Sequence, residues 1–246
     1  IGRSAFKDRA GITAISFASG AGVTKLGTAA FQGCTALQTL SLPSGTALLP
    51  AGLAQGCTNL TSVTIPGTVT GIGAMAFADC EKLGSLTLPS SLTSIGESAL
   101  SNCRILSSLA IPSGVTVIPA QLVNECRALS SISFAGNITS IGNNAFHNCE
   151  ALTSFSLPNT VTSIGSGAFS GCSGLATINL GTGLATIGDQ AFQGCSGLAT
   201  INVTAGNTTF SSFGGVLFNA AKTTLVLCPP VRSGTYAIPS GVTALA

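Results

Sequence analysis

The chain has 246 residues, with nine Lys and Arg against seven Asp and Glu. Its formal net charge of +2 gives no electrostatic footprint for nucleic acid or anionic lipid. Hydrophobic residues make up 45%, charged residues only 7%, and mean hydropathy is +0.58, yet no apolar run approaches the roughly 18 residues a spanning helix needs. Ser, Thr, Gly and Asn separate the apolar positions, so hydroxyls and amides must solvate the exterior.

Along the chain, Ile1-Gly2, Ala5-Phe6, Ile12, Ile15 and Phe17 open a pattern in which Arg9 holds a slot that cysteine takes later. Two extra residues near Ala18 to Gly22 lengthen that first unit. From there Cys34, Cys57, Cys80, Cys103, Cys126, Cys149, Cys172 and Cys195 recur every 23 residues. Three residues before the Cys stand Phe31, Phe77, Phe146, Phe169 and Phe192, with Ala54, Leu100 and Val123 in the other units. Leu follows three residues after every one of these cysteines. Aliphatic or Phe residues follow at six and eight, often with Pro next, and an Ile-Gly pair recurs before the following Ala-Phe.

The L-x-L segment alternates with period two and predicts a short strand with one buried face. Pro after it removes a ladder donor and ends the strand. A second apolar pair, such as Val69 with Ile72, returns the chain along the opposite side, and Gly permits the bend that follows. The G-x-x-A-F-x-x-C stretch predicts a single helical or 3₁₀ turn. One unit cannot form a core alone, so units must stack in register. The expected fold is a leucine-rich-repeat solenoid: a curved right-handed coil with a parallel sheet on the concave side, and short helical or 3₁₀ turns with extended segments on the convex side. Residues 1–246 are expected to form one such solenoid.

After Val203 the register is lost and resumes at Ile238-Pro239, Val242 and Leu245. Two β-rich runs, Gly214 to Phe218 and Thr223 to Leu227, flank a polar turn and predict a β-hairpin within an irregular unit at about 207–237. Ile1-Gly2 and Ala246 both fall inside a repeat, which suggests a segment of a longer precursor cut within a repeat at each end.

The motif A-F-x-x-C-x-x-L-x-x-L-x-L-P with its trailing I-G resembles the BspA-type leucine-rich repeats of bacterial surface proteins, over nearly all of the chain. The resemblance implies an extracellular or cell-surface protein that binds host proteins, microbes or matrix, and it brings no catalytic residues. Pro50 and Pro119 stand where Gly is usual and imply local irregularity.

The spacing of 23 places one Cys per coil in a line, which suits neither a metal site nor a disulfide. These eight thiols are expected to be structural, each filling an inner corner. Outward strand positions form a candidate binding surface: Thr39, Ser41, Ser62, Thr64, Ser85, Thr87, Ser108, Ser131, Ser133, Ser154 and Ser156. Glu81, Arg104, Arg127 and Glu150 share one slot in four successive coils and add a charged row, with Glu125 placed to relieve the Arg pair. His147, the only histidine, lies in a variable turn slot. With no paired carboxylates, phosphate loop or nucleophile motif, no enzyme and no cofactor or metal are expected. A hydrolytic reading would need a deep pocket with converging polar groups near the hairpin. The expected function is a surface or secreted protein-binding scaffold with a protein or glycoprotein ligand, no nucleic acid and no membrane span; the alternative is a structural spacer.

Overall fold

The computed structural model describes residues 1–18, 22–232 and 234–245. These wind into a parallel β-solenoid of about ten coils. In chain order the strands are β1 (Ala14–Ile15), β2 (Thr39–Ser41), β3 (Leu48–Leu49), β4 (Ser62–Thr64), β5 (Gly71–Ile72), β6 (Ser94–Ile95) and β7 (Ser108–Ile111). Then come β8 (Val117–Ile118), β9 (Ser131–Phe134), β10 (Ser140–Ile141), β11 (Ser154–Ser156), β12 (Ser163–Ile164) and β13 (Thr177–Leu180). The last are β14 (Thr186–Ile187), β15 (Thr200–Val203), β16 (Phe210–Phe213), β17 (Val216–Asn219), β18 (Thr224–Leu227) and β19 (Ala244–Leu245).

The L-x-L segments form one row of parallel sheets, β1-β2-β4, β7-β9 and β11-β13-β15. The x-Ile segments before Gly form a second row, β3-β5-β6 and β8-β10-β12-β14. Partners sit one period apart, as Leu40 opposite Val63 and Ile178 opposite Ile201. Such pairing follows from a fixed repeat length, because only an exact 23-residue offset keeps every inward residue over its equivalent.

The third side corrects the helical expectation: no helix occurs among the described residues. Two tight turns take its place in each unit. In the second coil Ala30 N–H donates to Gly27 O and Cys34 N–H to Phe31 O, with φ of 56° at Ala29 and 72° at Gly33. A positive φ at the third residue defines a type II turn and stops a helix from propagating. The residue before the Cys slot carries it in every coil, at Asp8, Gly33, Gly56, Asp79, Asn102, Glu125, Asn148, Gly171 and Gly194. Gly, Asn and Asp are the residues that tolerate this region most readily.

The turns bind to one another with a regularity that the strands lack. Ala29, Phe31 and Gly33 donate N–H to Ala51 O, Leu53 O and Gln55 O, and the same three bonds recur at each step from the first coil to the ninth. Beneath them, Phe146 stacks on Phe169 at 5.1 Å and Phe169 on Phe192 at 5.7 Å. The eight ladder cysteines are all buried and unpaired. Each thiol donates to a carbonyl of the preceding coil, Cys57 to Phe31 O at 3.2 Å and Cys195 to Phe169 O at 3.1 Å. The chain thus uses its small thiol as a donor that satisfies a buried carbonyl.

The Ile-Gly glycines have a different cause from the bend the sequence suggests. None of Gly73, Gly96, Gly142, Gly165 and Gly188 has a positive φ. A Cβ on Gly73 would lie 2.5 Å from Ala51 N, and one on Gly142 2.5 Å from Ala120 N. Close approach of coils demands them. Their N–H groups also donate upward, Gly73 to Leu49 O and Gly142 to Ile118 O, both at 2.8 Å. Pro50 and Pro119 cannot donate, and the second row is interrupted where Pro119 stands, between β6 and β8.

The final unit departs from the period. Asn207 accepts Thr209 and Phe210 N–H at Oδ1 and donates to Gly181 O and Leu184 O, fixing the exit from the ninth coil. Strand β17 then pairs antiparallel with both β16 and β18, and β18 pairs parallel with β19. Val216, Leu217 and Phe218 are buried. The sequence hairpin corresponds to β17–β18; the β16–β17 hairpin was not foreseen, because Phe210-Ser-Ser-Phe213 carries little β-rich signal.

Candidate functional site

Outward residues of the first strand row stand where alternation puts them. Thr39, Ser62, Thr64, Ser85, Thr87, Ser108, Ser131, Ser133, Ser154 and Ser156 are exposed, and Ser41 is half-buried. Their inward neighbours Leu40, Leu86, Leu109 and Phe155 are buried. The surface is not uniform, because the ladder opens twice. Residues 85–88 form no strand, and a shallow groove of about 240 Å³ there is lined by Ser85, Thr87, Ser108 and Ala110. A second groove, about 360 Å³, lies between β9 and β11 and brings Ser131, Ser133, Ser154 and Ser156 together. Phe134 and Phe155 meet edge to face at 6.0 Å beneath it. Both are larger than the aliphatic residues in these slots elsewhere.

Beyond that groove the row changes chemistry. Asn202 Nδ2 donates to Asn179 Oδ1 at 2.8 Å, and Asn179 Nδ2 to Ser156 Oγ at 2.9 Å. This amide ladder spends polar groups on itself, whereas the hydroxyls before it remain open.

The charged slot stacks as spacing requires. Arg104 Nη2 lies 3.7 Å from Glu81 Oε1, and Arg127 Nη1 lies 3.5 Å from Glu150 Oε1. Glu125 pairs with the second of the two arginines: Arg127 donates through Nε and Nη2 to Glu125 Oε2 at 3.1 and 2.9 Å. Asn148 Nδ2 donates to Glu125 Oε1 at 2.6 Å. Burial opposes ionisation of Glu125, but the hydrogen bonds from Asn148 and Arg127 and the nearby positive charge outweigh it and lower its pKa. A parallel knot joins Arg104 Nε to Asn102 Oδ1, and Asn102 Nδ2 to Asp79 Oδ1, both at 2.9 Å. These Asn and Asp partners come from the positive-φ slot. The signal that would have found them is the run of Asn and Asp before Cys. Exposed pairs of this kind contribute little individually, so the row is a minor source of stability.

His147 Nδ1 lies 2.9 Å from Asn124 Oδ1 and 3.9 Å from Glu125 Oε1, with no nucleophile among its named partners. A groove of about 430 Å³ does lie beside the hairpin, but Asp189 is its one ionisable lining residue, so it lacks the converging polar groups that hydrolysis needs. Among the described residues no group of three or more His, Cys, Asp or Glu is placed to hold a metal. No described helix is long and apolar enough to cross a membrane.

The likeness to known proteins is to repeat proteins throughout. The model of the BspA type leucine rich repeat region matches in six copies over residues 1–127, 49–155 and 121–224. No curated protein matches significantly. Among solved structures, a leucine-rich repeat protein from Bacteroides ovatus is similar at 23% identity and a TM-score of 0.67, covering 100% of this chain and 63% of that one. The leucine rich repeat protein of T. pallidum is similar at 28% identity and a TM-score of 0.51, covering 76% of this chain and 78% of that one. This chain therefore spans under two thirds of the Bacteroides ovatus protein's length. With the repeat model matched across most of its length, the chain belongs to the BspA-type leucine-rich repeat family.

Proposed function

We propose that the chain is a non-catalytic scaffold, extracellular or at the cell surface, that binds a protein or glycoprotein through its first strand row and the adjoining charged row. The observation that carries this reading is the line of solvent-facing hydroxyls from Thr39 to Ser156, interrupted at Ala110 and flanked by Glu81, Arg104, Arg127 and Glu150. Hot spots usually draw on Trp, Tyr and Arg. The chain has no Trp and a single Tyr, so affinity gathers over many coils, with the two arginines as anchors. The test is binding of the intact chain to immobilised glycoproteins and matrix proteins. Saturable binding to a member of the panel, weakened when Glu81, Arg104, Arg127 and Glu150 are neutralised together, supports the reading; a blank across the panel contradicts it.

A spacer is the second reading, favoured by the repetition of the same turn bonds at successive coils. Deleting one whole 23-residue unit separates the two. A spacer keeps any ligand binding after the deletion, whereas a binding face loses affinity.

A further inference from the structure

Eight coils donate three turn N–H groups to the next coil, and the ninth does not. Gly167, Phe169 and Gly171 donate to Asp189 O, Ala191 O and Gln193 O at 2.9, 2.8 and 2.7 Å. One coil later Gln190, Phe192 and Gly194 hold the same slots, and their N–H groups have no acceptor among the described residues. Phe169 O receives the Cys195 thiol, but Phe192 O receives no thiol from a following coil. Burial follows: Gln190 and Gly194 are exposed, while Gly167 is buried and Gly171 half-buried.

The irregular unit replaces the next coil only in part. On the second row β18 takes its place, since Thr243 and Ala244 donate N–H to Thr223 O as Ala185 and Thr186 do to Thr162 O. The turn position stays open as the groove of about 430 Å³, walled by Phe192, Phe210, Leu217, Val226 and Leu227 with Asp189 on its lining. The edge thus presents three N–H donors and a carbonyl lone pair with no protein partner among the described residues, beside an apolar groove, so it fits a partner with the complementary pattern.

We propose that this groove docks one turn of a partner repeat chain: a short glycine-containing segment of the A-F-x-x-C type. Its alternate carbonyls accept from Gln190, Phe192 and Gly194. Its aromatic side chain enters the groove, and its thiol or hydroxyl donates to Phe192 O. Two features select this occupant over an ordinary extended strand. The edge is wound by positive φ at Gln190 (57°) and Gly194 (71°), so a partner must wind the same way to meet all three donors. The site also continues the ladder that already joins nine coils of this sequence. Asp189 favours a basic residue at the amino-terminal end of the segment. The site lies apart from the proposed strand-row surface, and neither depends on the other.

The test is amide hydrogen exchange by NMR on the full ¹⁵N-labelled chain, alone and with a synthetic copy of residues 163–173 that carries Cys172→Ser and an added amino-terminal Lys. A scrambled peptide is the control. In the free chain the Gln190, Phe192 and Gly194 amides should exchange far faster than those of Gly167, Phe169 and Gly171. Saturating peptide should slow the first three about tenfold or more and leave the second three unchanged, and the scrambled peptide should do nothing. The proposal is overturned if the three amides are already as protected as their neighbours, or if the peptide binds without slowing them. It is also overturned if the scrambled peptide slows them equally.

Discussion

The turn side and the strand sides of this solenoid answer to the same 23-residue period but differ in how faithfully they keep it. On the turn side three N–H bonds recur at every step through the ninth coil, with a thiol bond and buried Phe, Leu, Val or Ala residues beneath. The strand rows break between β4 and β7, between β9 and β11 and between β6 and β8. Coils hold together across these breaks, so strand pairing is the dispensable part. Backbone bonds on the turn side lie over the most deeply buried residues, where an unmet donor or acceptor is most costly.

The largest expected effect comes from pH, because all eight ladder thiols sit on the turn side. Desolvation raises their pKa, to about 12 for Cys57 and Cys126 and about 11 for Cys195, from a value of 9.0. The sign follows from proton binding: between the unfolded and folded values the native chain holds protons that the unfolded chain has lost, so stability falls as pH rises. Each thiol contributes up to about 1.4 kcal/mol per pH unit. Urea unfolding midpoints should therefore hold steady from pH 6 to 8 and drop steeply above about pH 9. A flat profile to pH 11 would remove the thiols from the account.

Phe146→Ala takes a ring from the turn-side stack and should cost about 3–5 kcal/mol in chemical denaturation. A loss near that of an ordinary surface change would mean that the stack is not what joins the coils. Thr46 stands in an inner slot that holds Val, Leu or Ile in other coils, and its Oγ1 is buried without a partner among the described residues. Thr46→Val should therefore raise stability by about 1 kcal/mol, read as a higher melting temperature. The smallest effect belongs to the strands. Pro119→Gly restores a donor opposite Ile95 O but loosens the unfolded chain, so the change should stay within about 1 kcal/mol of zero. A gain of several kcal/mol would reverse the ranking of the two sides.

Those rankings also explain what could be read without coordinates. The cysteine interval, the Leu at three residues beyond it and the alternation of L-x-L determine which residues face inward, and Cys34 to Cys195 and Leu37 to Leu198 are buried accordingly. Pro119 was visible as an irregularity because a missing N–H is a property of the residue itself. The tight turns were misread as helical because Ala-Phe pairs suit a helix. The contrary signal, Gly, Asn or Asp before every ladder Cys except Cys126, acts through backbone conformation rather than hydrophobic period. The opening above Phe134 and Phe155 was not legible, since where the ladder opens is a property of stacked coils rather than of one repeat. The same holds for the candidate surface: exposure of its hydroxyls follows from alternation, but the grooves that group Ser131 with Ser154 depend on where the ladder opens.

Native-state alkylation followed by mass spectrometry tests the turn-side account most directly, because it counts thiols coil by coil. Of the nine cysteines, only Cys228 is exposed. In native buffer Cys228 alone should be modified, and in rising denaturant the other eight should become reactive together, at one midpoint. Modification of ladder thiols one after another while the rest of the array stays folded would contradict a turn side that binds the coils into one cooperative stack.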